Sequence, residues 1–262
     1  MKGGSRQRQN VAALPSLSLV IPAYNEATRI SSTLKVVTRF LAAQPYRSEL
    51  ILVDDGSTDA TADLARSFTD SSPTARLLTI PHGGKAAAVR AGMRAATGDL
   101  IGFADADLAT PLVHLADLRQ AIADGYDLAI GSREGHGARR IGEPLYRHLM
   151  GRAFNLLVRT LLLPGIQDTQ CGFKLFRRDT AHDIFGRARL YAEPTQRPTG
   201  PRVTAFDVEL LVIARRRGYR IRAVPVVWTY GEQSKVNPIR DTWYNLMDVL
   251  RVRINAWRGR YN

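Results

Sequence analysis

The sequence predicts an α/β fold in which helices cover both faces of a mostly parallel central sheet, within a single domain. Three observations carry that prediction. In the first half, short apolar runs alternate with amphipathic stretches of helical period, the rhythm of strand–helix–strand units. Acidic clusters fall just past several of the apolar runs, where ligands bind in parallel sheets. The 262 residues contain no internal repeat and no linker that would divide them.

Taken in order, residues 17–22, 50–54, 75–80 and 100–104 read as short buried strands. Between them, 26–43, 58–68 and 85–96 have the apolar spacing of helices. Residues 127–131 predict another strand, running into Ser132-Arg133; 144–163 predict a helix and 170–176 a strand-like segment. A loop is expected over 187–205, punctuated by Pro194, Pro198, Gly200 and Pro201 and long enough to act as a lid. Helix is expected over 206–217 and strand over 219–228.

The last segment, 239–257, is a basic amphipathic helix. Trp243, Leu246, Met247, Leu250, Ile254 and Trp257 stand at i, i+3, i+4, i+7, i+11 and i+14, with Arg251, Arg253, Arg258 and Arg260 at the same end. Such a stripe lies either in a layer of lipid headgroups or against the core. Residues 1–15 lack an apolar signal-peptide core and read as a floppy tail. The expected organisation is therefore a tail over 1–15, the α/β domain over 16–238 and the helix over 239–262.

Composition narrows the class. Hydrophobic residues make up 45% and charged residues 23%, which excludes a wholly disordered chain. A single cysteine, Cys171, cannot form an internal disulfide, so a reducing cytoplasmic setting is expected. No window reaches the roughly 20 apolar residues of a spanning helix; the nearest, 156–163, is broken by Arg159 and Thr160.

The net charge of +13 is unevenly placed. Residues 1–132 hold 13 basic and 13 acidic side chains, whereas 133–262 hold 24 and 11. A one-sided basic surface suits phosphates or an anionic membrane. No zinc-finger spacing, RNA-binding aromatic motif or basic zipper accompanies it, so nucleic acid is not the expected partner.

Asp105 and Asp107 stand two apart after the fourth strand, a spacing that in extended backbone points both carboxylates to one side. Two hard oxygen ligands with room for waters and substrate oxygens suit Mg²⁺ or Mn²⁺. A diphosphate leaving group needs such an ion as charge builds on its oxygen. The same pair could instead cap the helix that Thr110-Pro111 announces.

Ile21-Pro22-Ala23-Tyr24-Asn25-Glu26, Val53-Asp54-Asp55-Gly56-Ser57-Thr58-Asp59, Gly84-Lys85 with Ala88-Val89-Arg90-Ala91-Gly92, and Gly98-Asp99 leading to Asp105-Ala106-Asp107 occur in this order. Together they closely resemble family 2 glycosyltransferases. Further on, Gly131-Ser132-Arg133, Asp168-Thr169-Gln170-Cys171-Gly172-Phe173-Lys174, Phe206-Asp207-Val208-Glu209 and Ser234-Lys235 look like the dolichyl-phosphate β-glucosyltransferase branch. The similarity covers about residues 16–250.

The resemblance implies the GT-A fold, a Rossmann-like α/β arrangement, and metal-dependent, inverting transfer from a nucleotide-sugar donor, UDP-glucose first, to a polyprenyl (dolichyl-type) phosphate. It implies that Pro22, Tyr24 and Glu26 hold the base and ribose, that Asp55 bonds the base, and that Lys85 reaches the nucleotide or its phosphates. Asp105 and Asp107 become the metal pair, Asp105 also touching the donor. Three positions depart from the pattern: His82 stands where asparagine is usual, Ala86 replaces a common glycine, and Ala109 sits where mannosyl-transferring relatives carry a metal-joining glutamine. The last departure points away from GDP-mannose, which stays open as an alternative donor, as does a sugar hydroxyl as acceptor. A non-catalytic sensor of nucleotide-sugars is the remaining alternative, and the Asp105/Asp107 pair argues against it.

The acceptor adds a physical argument. A phosphomonoester has its second pKa near 6, so at neutral pH it is largely a dianion whose oxygen is already nucleophilic. Such a reaction needs cations to hold two anionic reactants together more than it needs a base. Arg133, Arg147 and Lys235 are the candidates, arginine being suited to bidentate phosphate contact. Asp207, Asp168 and Glu209 would supply the base for a hydroxyl acceptor. The expected setting is the cytoplasmic face of a membrane, peripherally bound, with room for a membrane-embedded partner protein.

Overall fold

A computed structural model of the chain describes residues 13–191, 204–231 and 238–262. Four parallel strands form its first part: β1 (Leu17–Ala23), β2 (Ser48–Asp54), β3 (Ala75–Thr79) and β4 (Leu100–Phe103). With β5 (Leu128–Ser132), β7 (Lys174–Arg177) and β8 (Ile221–Pro225) they make a seven-stranded sheet in the order β3-β2-β1-β4-β7-β5-β8. Only β7 runs against its neighbours, so its Lys174 end lies beside Phe103 and Ile130, at the carboxyl edge of β4 and β5. A separate parallel pair joins β6 (Arg139–Ile141) to β9 (Val227–Thr229).

Side-chain alternation along the strands feeds two cores, one per face of the sheet. Val20, Ile51, Val53 and Phe103 meet α3 (Lys85–Ala95), α6 (Arg178–Arg187), α7 (Phe206–Arg216) and α8 (Pro238–Trp257). Leu19, Ile21, Leu50 and Leu52 meet α1 (Ile30–Ala42), α2 (Thr61–Asp70) and α4 (Leu115–Ala123). Helix α5 (Leu145–Leu161) touches the first core through Val158. The strand ends at the carboxyl edge carry Tyr24, Asp55, Asp105 and Arg133 into one region, as the parallel pattern predicts.

Several local expectations shift. Helix α1 starts at Ile30, four residues later than its apolar pattern, because Asn25 adopts a positive φ of 52° and accepts the Thr58 N–H. The segment 170–176 becomes strand only from Lys174. The expected strand 219–228 breaks at Val226, whose two sides join different sheets. The helix that Thr110-Pro111 announces is the turn 112–114 running into α4, whereas helix α6 and strand β6 have no counterpart among the expected elements. The stripe on α8 faces outward: Trp243, Leu250, Ile254 and Trp257 are exposed, while Val249, Val252 and Ala256 face the core. Most of the expected loop 187–205, and Lys235, lie outside the described residues; Arg187 closes α6.

Candidate active site

The turn after β2 is built around Asp55. Gly56 holds φ at 67°, where a Cβ would come within 2.8 Å of the His82 backbone nitrogen, so glycine is required for this close approach. Asp55 is 2% exposed. One of its oxygens accepts the Gly83 N–H and the other the Gly84 N–H, both at 2.8 Å; the second also meets His82 Nδ1 at 2.8 Å. Burial pushes the Asp55 carboxyl upward, against the pull of these N–H groups and of His82.

The His82 ring then stacks on Tyr24, centroids 4.0 Å apart and planes 13° from parallel. The residue that departs from the usual asparagine thus extends the aromatic surface attributed to Tyr24. Pro22 is buried within β1 opposite Val53. Glu26 pairs with Arg29 at 2.7 Å, and its N–H donates to Thr61 Oγ1.

Asp105 and Asp107 do not share an extended strand. The Leu108 N–H returns to the Asp105 carbonyl at 3.0 Å, and Leu108 adopts φ 49°, closing a turn that brings the carboxylates together. One Asp107 oxygen accepts the Ala109 N–H at 3.0 Å. Lys85 Nζ lies 2.5 Å from Asp105 Oδ1. Gly172 makes room, since a Cβ there would collide with the Asp105 carboxylate.

Burial, and after it the Asp105 charge, pushes the Asp107 carboxyl upward. Burial alone would lower the Lys85 ammonium, yet Asp105, Asp207 and Asp107 outweigh it and hold the pKa above its ordinary value. Crowded carboxylates that tax one another fit a divalent cation. Among the described residues no three His, Cys, Asp or Glu side chains converge on one point. The pair therefore suits a divalent cation without filling its coordination shell.

Asp207, in the first turn of α7, receives Lys174 Nζ at 2.6 Å, and the same ammonium donates to the Cys171 carbonyl at 2.5 Å. Both partners are buried. The motif from Asp168 to Lys174 does not by itself predict this partner. The signal was present, because a lysine inside the apolar run Phe173–Phe176 demands a buried counter-charge.

After β5, Arg133 and Asp168 form a bidentate pair at 2.7 and 2.9 Å, and the Arg133 backbone N–H adds a third bond at 2.9 Å. Burial works against ionised Asp168, but Arg133 wins and holds the carboxyl well below its usual range. Arg133 lies over the Trp228 ring at 5.4 Å and Arg147 over the Tyr230 ring at 5.3 Å. The Thr229 N–H, between these aromatics, donates to the Ala109 carbonyl at 2.9 Å. Strand β9, with Trp228 in it and Tyr230 just after it, is thus tied to the residue two beyond Asp107. Glu209 faces elsewhere, taking the N–H groups of Arg189 and Leu190 and the Tyr261 hydroxyl.

A mostly parallel sheet with a stacked aromatic pair at its carboxyl edge and paired aspartates after the fourth strand defines a glycosyltransferase of the GT-A fold. The chain belongs to glycosyl transferase family 2, whose sequence profile matches residues 18–185. It is 35% identical to the dolichyl-phosphate beta-glucosyltransferase of Dictyostelium discoideum, over 93% of this chain and 75% of that one. It is 34% identical to the protein of the same name from Homo sapiens, over 92% and 77%. In fold it resembles the crystal structure of glucosyl-3-phosphoglycerate synthase from Mycobacterium tuberculosis in complex with Mn²⁺ and UDP-glucose. The TM-score is 0.64 at 19% identity, covering 91% of this chain and 79% of that one.

Proposed function

We propose that this enzyme transfers glucose from UDP-glucose, with inversion, to the phosphate of a polyprenyl (dolichyl-type) lipid at a membrane surface. One observation of the structure supports this reading above the others. The Thr229–Ala109 hydrogen bond ties the segment carrying Trp228 and Tyr230, over whose rings Arg133 and Arg147 lie, to the residue two beyond Asp107. Cations for an acceptor phosphate and carboxylates for a donor metal then share one edge of the sheet. The two dolichyl-phosphate beta-glucosyltransferases, similar over most of this chain, support the same choice of sugar and acceptor.

In this reading Tyr24 and His82 stack the base, with Pro22, Glu26 and Asp55 shaping its seat. Asp105 and Asp107 would hold Mg²⁺ or Mn²⁺ together with diphosphate oxygens; the ion would offset charge on the departing diphosphate. Lys85 exchanges Asp105 for a donor phosphate oxygen. A lipid-phosphate oxygen attacks the anomeric carbon from the face opposite the diphosphate, the new C–O bond forms, and UDP leaves with the electron pair of the old one. No proton is removed, so Arg147 and Lys235 hold the dianion while Arg133, locked to Asp168, shapes the seat.

The exposed stripe of α8 and the basic surplus of 133–262 support peripheral attachment to an anionic cytoplasmic leaflet, beside any membrane-embedded partner. Among the described residues no helix is long and apolar enough to cross a membrane. The decisive experiment offers UDP-glucose, GDP-mannose and other donors with polyprenyl phosphate and Mg²⁺ or Mn²⁺, and weighs the glycolipid formed. Glucosyl-phosphoryl-polyprenol is expected from UDP-glucose; a mannosyl product, or glycosylation of a sugar hydroxyl alone, would overturn the reading.

A further inference from the structure

Arg133 and Arg147 are joined by residues 134–146, of which only the short strand β6 and the start of α5 are regular. Left-handed turns at Gly137 (φ 87°) and Gly142 (φ 75°) bracket β6. Backbone of this kind sets no fixed distance between its ends. Side chains set it instead. Arg140, in the middle of β6, meets Glu134 Oε1 through Nη2 at 2.9 Å and Glu143 Oε2 through Nη1 at 2.7 Å. Its Nε donates to the Arg133 carbonyl at 3.3 Å. The Arg140, Glu134 and Glu143 side chains are only 11%, 19% and 10% exposed. Glu143 Oε2 also meets His148 Nδ1 at 3.3 Å, one residue past Arg147. A continuous run of contacts, from the Arg133 carbonyl through Arg140 and Glu143 to His148, therefore links the two arginines. Arg140 also stands opposite Trp228 in the β6–β9 pair, and Arg133 lies over that ring.

We propose that Arg140 is a positioning residue for the acceptor: by gripping Glu134 and Glu143 at once, it fixes the spacing of Arg133 and Arg147 and keeps both carboxylates engaged. Two arginines that close on one dianion repel each other until it arrives, so their spacing has to be imposed from outside the pair. The neighbouring acids pose a second difficulty. Left alone, Glu134 and Glu143 would pair with Arg133 or Arg147, or repel an incoming phosphate. Arg140 occupies them. A planar guanidinium with donors on several edges can hold two carboxylates and a carbonyl together, whereas an ammonium on a flexible stem cannot. The part played in phosphate binding rests on the acceptor reading above; the grip on the two segments does not.

The test compares the full chain with Arg140→Lys, which keeps the charge and loses the fork, in two measurements. Without any substrate, the Arg147 and His148 amides, both bonded to the Pro144 carbonyl, should exchange hydrogen roughly tenfold faster in the variant, while those of β1 and β2 stay protected. With UDP-glucose, Mn²⁺ and polyprenyl phosphate, the acceptor KM should rise about tenfold and the donor KM stay within about twofold. Glu143→Gln breaks one arm and leaves a neutral acceptor oxygen, so it should give both changes at reduced size even if Arg140→Lys folds poorly. Arg76→Gln, which removes the Arg76–Glu49 pair near the amino ends of β2 and β3, should leave the acceptor KM unchanged. Unchanged exchange would overturn the proposal, and so would donor and acceptor KM rising together. Faster exchange with an unchanged acceptor KM would reduce Arg140 to a structural part and overturn it too. A parent chain that transfers nothing to polyprenyl phosphate, with exchange still faster in Arg140→Lys, would end the acceptor reading and uphold the clamp.

Discussion

The two halves of the molecule hold their charged side chains by different means. Before Arg133, the acids at strand ends are mostly satisfied by backbone: Asp55 by Gly83 and Gly84, Asp107 by Ala109, Asp54 by the Ser57 N–H at 3.3 Å. After it, charge meets charge: Asp168 with Arg133, Asp207 with Lys174, and Arg140 between Glu134 and Glu143 at 2.9 and 2.7 Å. The difference follows from composition, because the second half carries the whole basic surplus, from which Asp168 and Asp207 draw their cations, while Glu209 keeps to N–H groups and the Tyr261 hydroxyl. A seat made by backbone N–H groups survives most side-chain changes around it. One made by a buried ion pair fails when either partner is removed, because the other is left buried and uncompensated.

The largest test of that contrast is Asp168→Asn. It should destabilise the fold by about 3–5 kcal/mol, with a fall in Tm, since Arg133 loses its buried counter-charge. The pH dependence has a definite sign. The folded state holds the Asp168 carboxyl below its ordinary value, so its contribution is complete above the unfolded pKa of about 3.9 and is lost as pH falls toward the folded value. The stability gap between parent and Asp168→Asn should therefore be full at neutral pH and narrow below about pH 4. A constant gap down to acid unfolding would show that packing, not charge, carries the effect.

Next in size, Asp105→Ala or Asp107→Ala should lower kcat by roughly 10² or more, and EDTA should abolish transfer. The Tm of Asp107→Ala should stay near that of the parent, because its partner is a turn N–H and not a buried cation. Full turnover in EDTA would end the metal assignment.

Arg147→Ala and Asp207→Asn separate binding from scaffolding. Arg147→Ala should raise the acceptor KM, whereas Asp207→Asn should chiefly lower Tm by stranding Lys174, with activity per folded molecule less affected. A loss of several thousandfold in folded Asp207→Asn, with Arg147→Ala nearly normal, would instead mark a base and a hydroxyl acceptor; a positioned base is worth about 10²–10⁴-fold. Smallest is the stack. Tyr24→Leu or His82→Ala should raise the donor KM about threefold to tenfold and leave the acceptor KM unchanged.

The same contrast explains what could be read from the chain. Strands β1 to β4 and the groups that follow them are local features, in which an apolar run ends and an acid or glycine follows within a few residues. Asp55, Asp105 and Lys85 were legible for that reason. The second half depends on long-range pairings that no local pattern shows. Lys174 finds Asp207 33 residues on, and Arg133 finds Asp168 35 residues on. Even in the first half the means of assembly was hidden: the aspartates meet through a turn closed by Leu108, and His82 joins Tyr24 across 58 positions of sequence only because β1, β2 and the loop after β3 end at the same edge. Helix α8 was legible as amphipathic, but which of its rows faced the core required the fold.

One carboxylate on that helix bears on how the molecule opens. Asp248, 1% exposed, accepts the Tyr191 hydroxyl at 2.5 Å and the Ala205 N–H at 3.3 Å, while the buried Tyr261 reaches Glu209 on α7 at 2.7 Å. Helix α8 is thereby stitched to residues on both sides of 192–203 and to the helix that begins beside Asp207. It should unfold with the rest as a single cooperative unit, its inner amides exchanging hydrogen no faster than those of the central strands. Removing 239–262 would therefore not trim an appendage. It would take the counterparts of Tyr191, Ala205 and Glu209 out of the interior, so the outward face of α8 is better dissected by substitutions at exposed positions than by truncation.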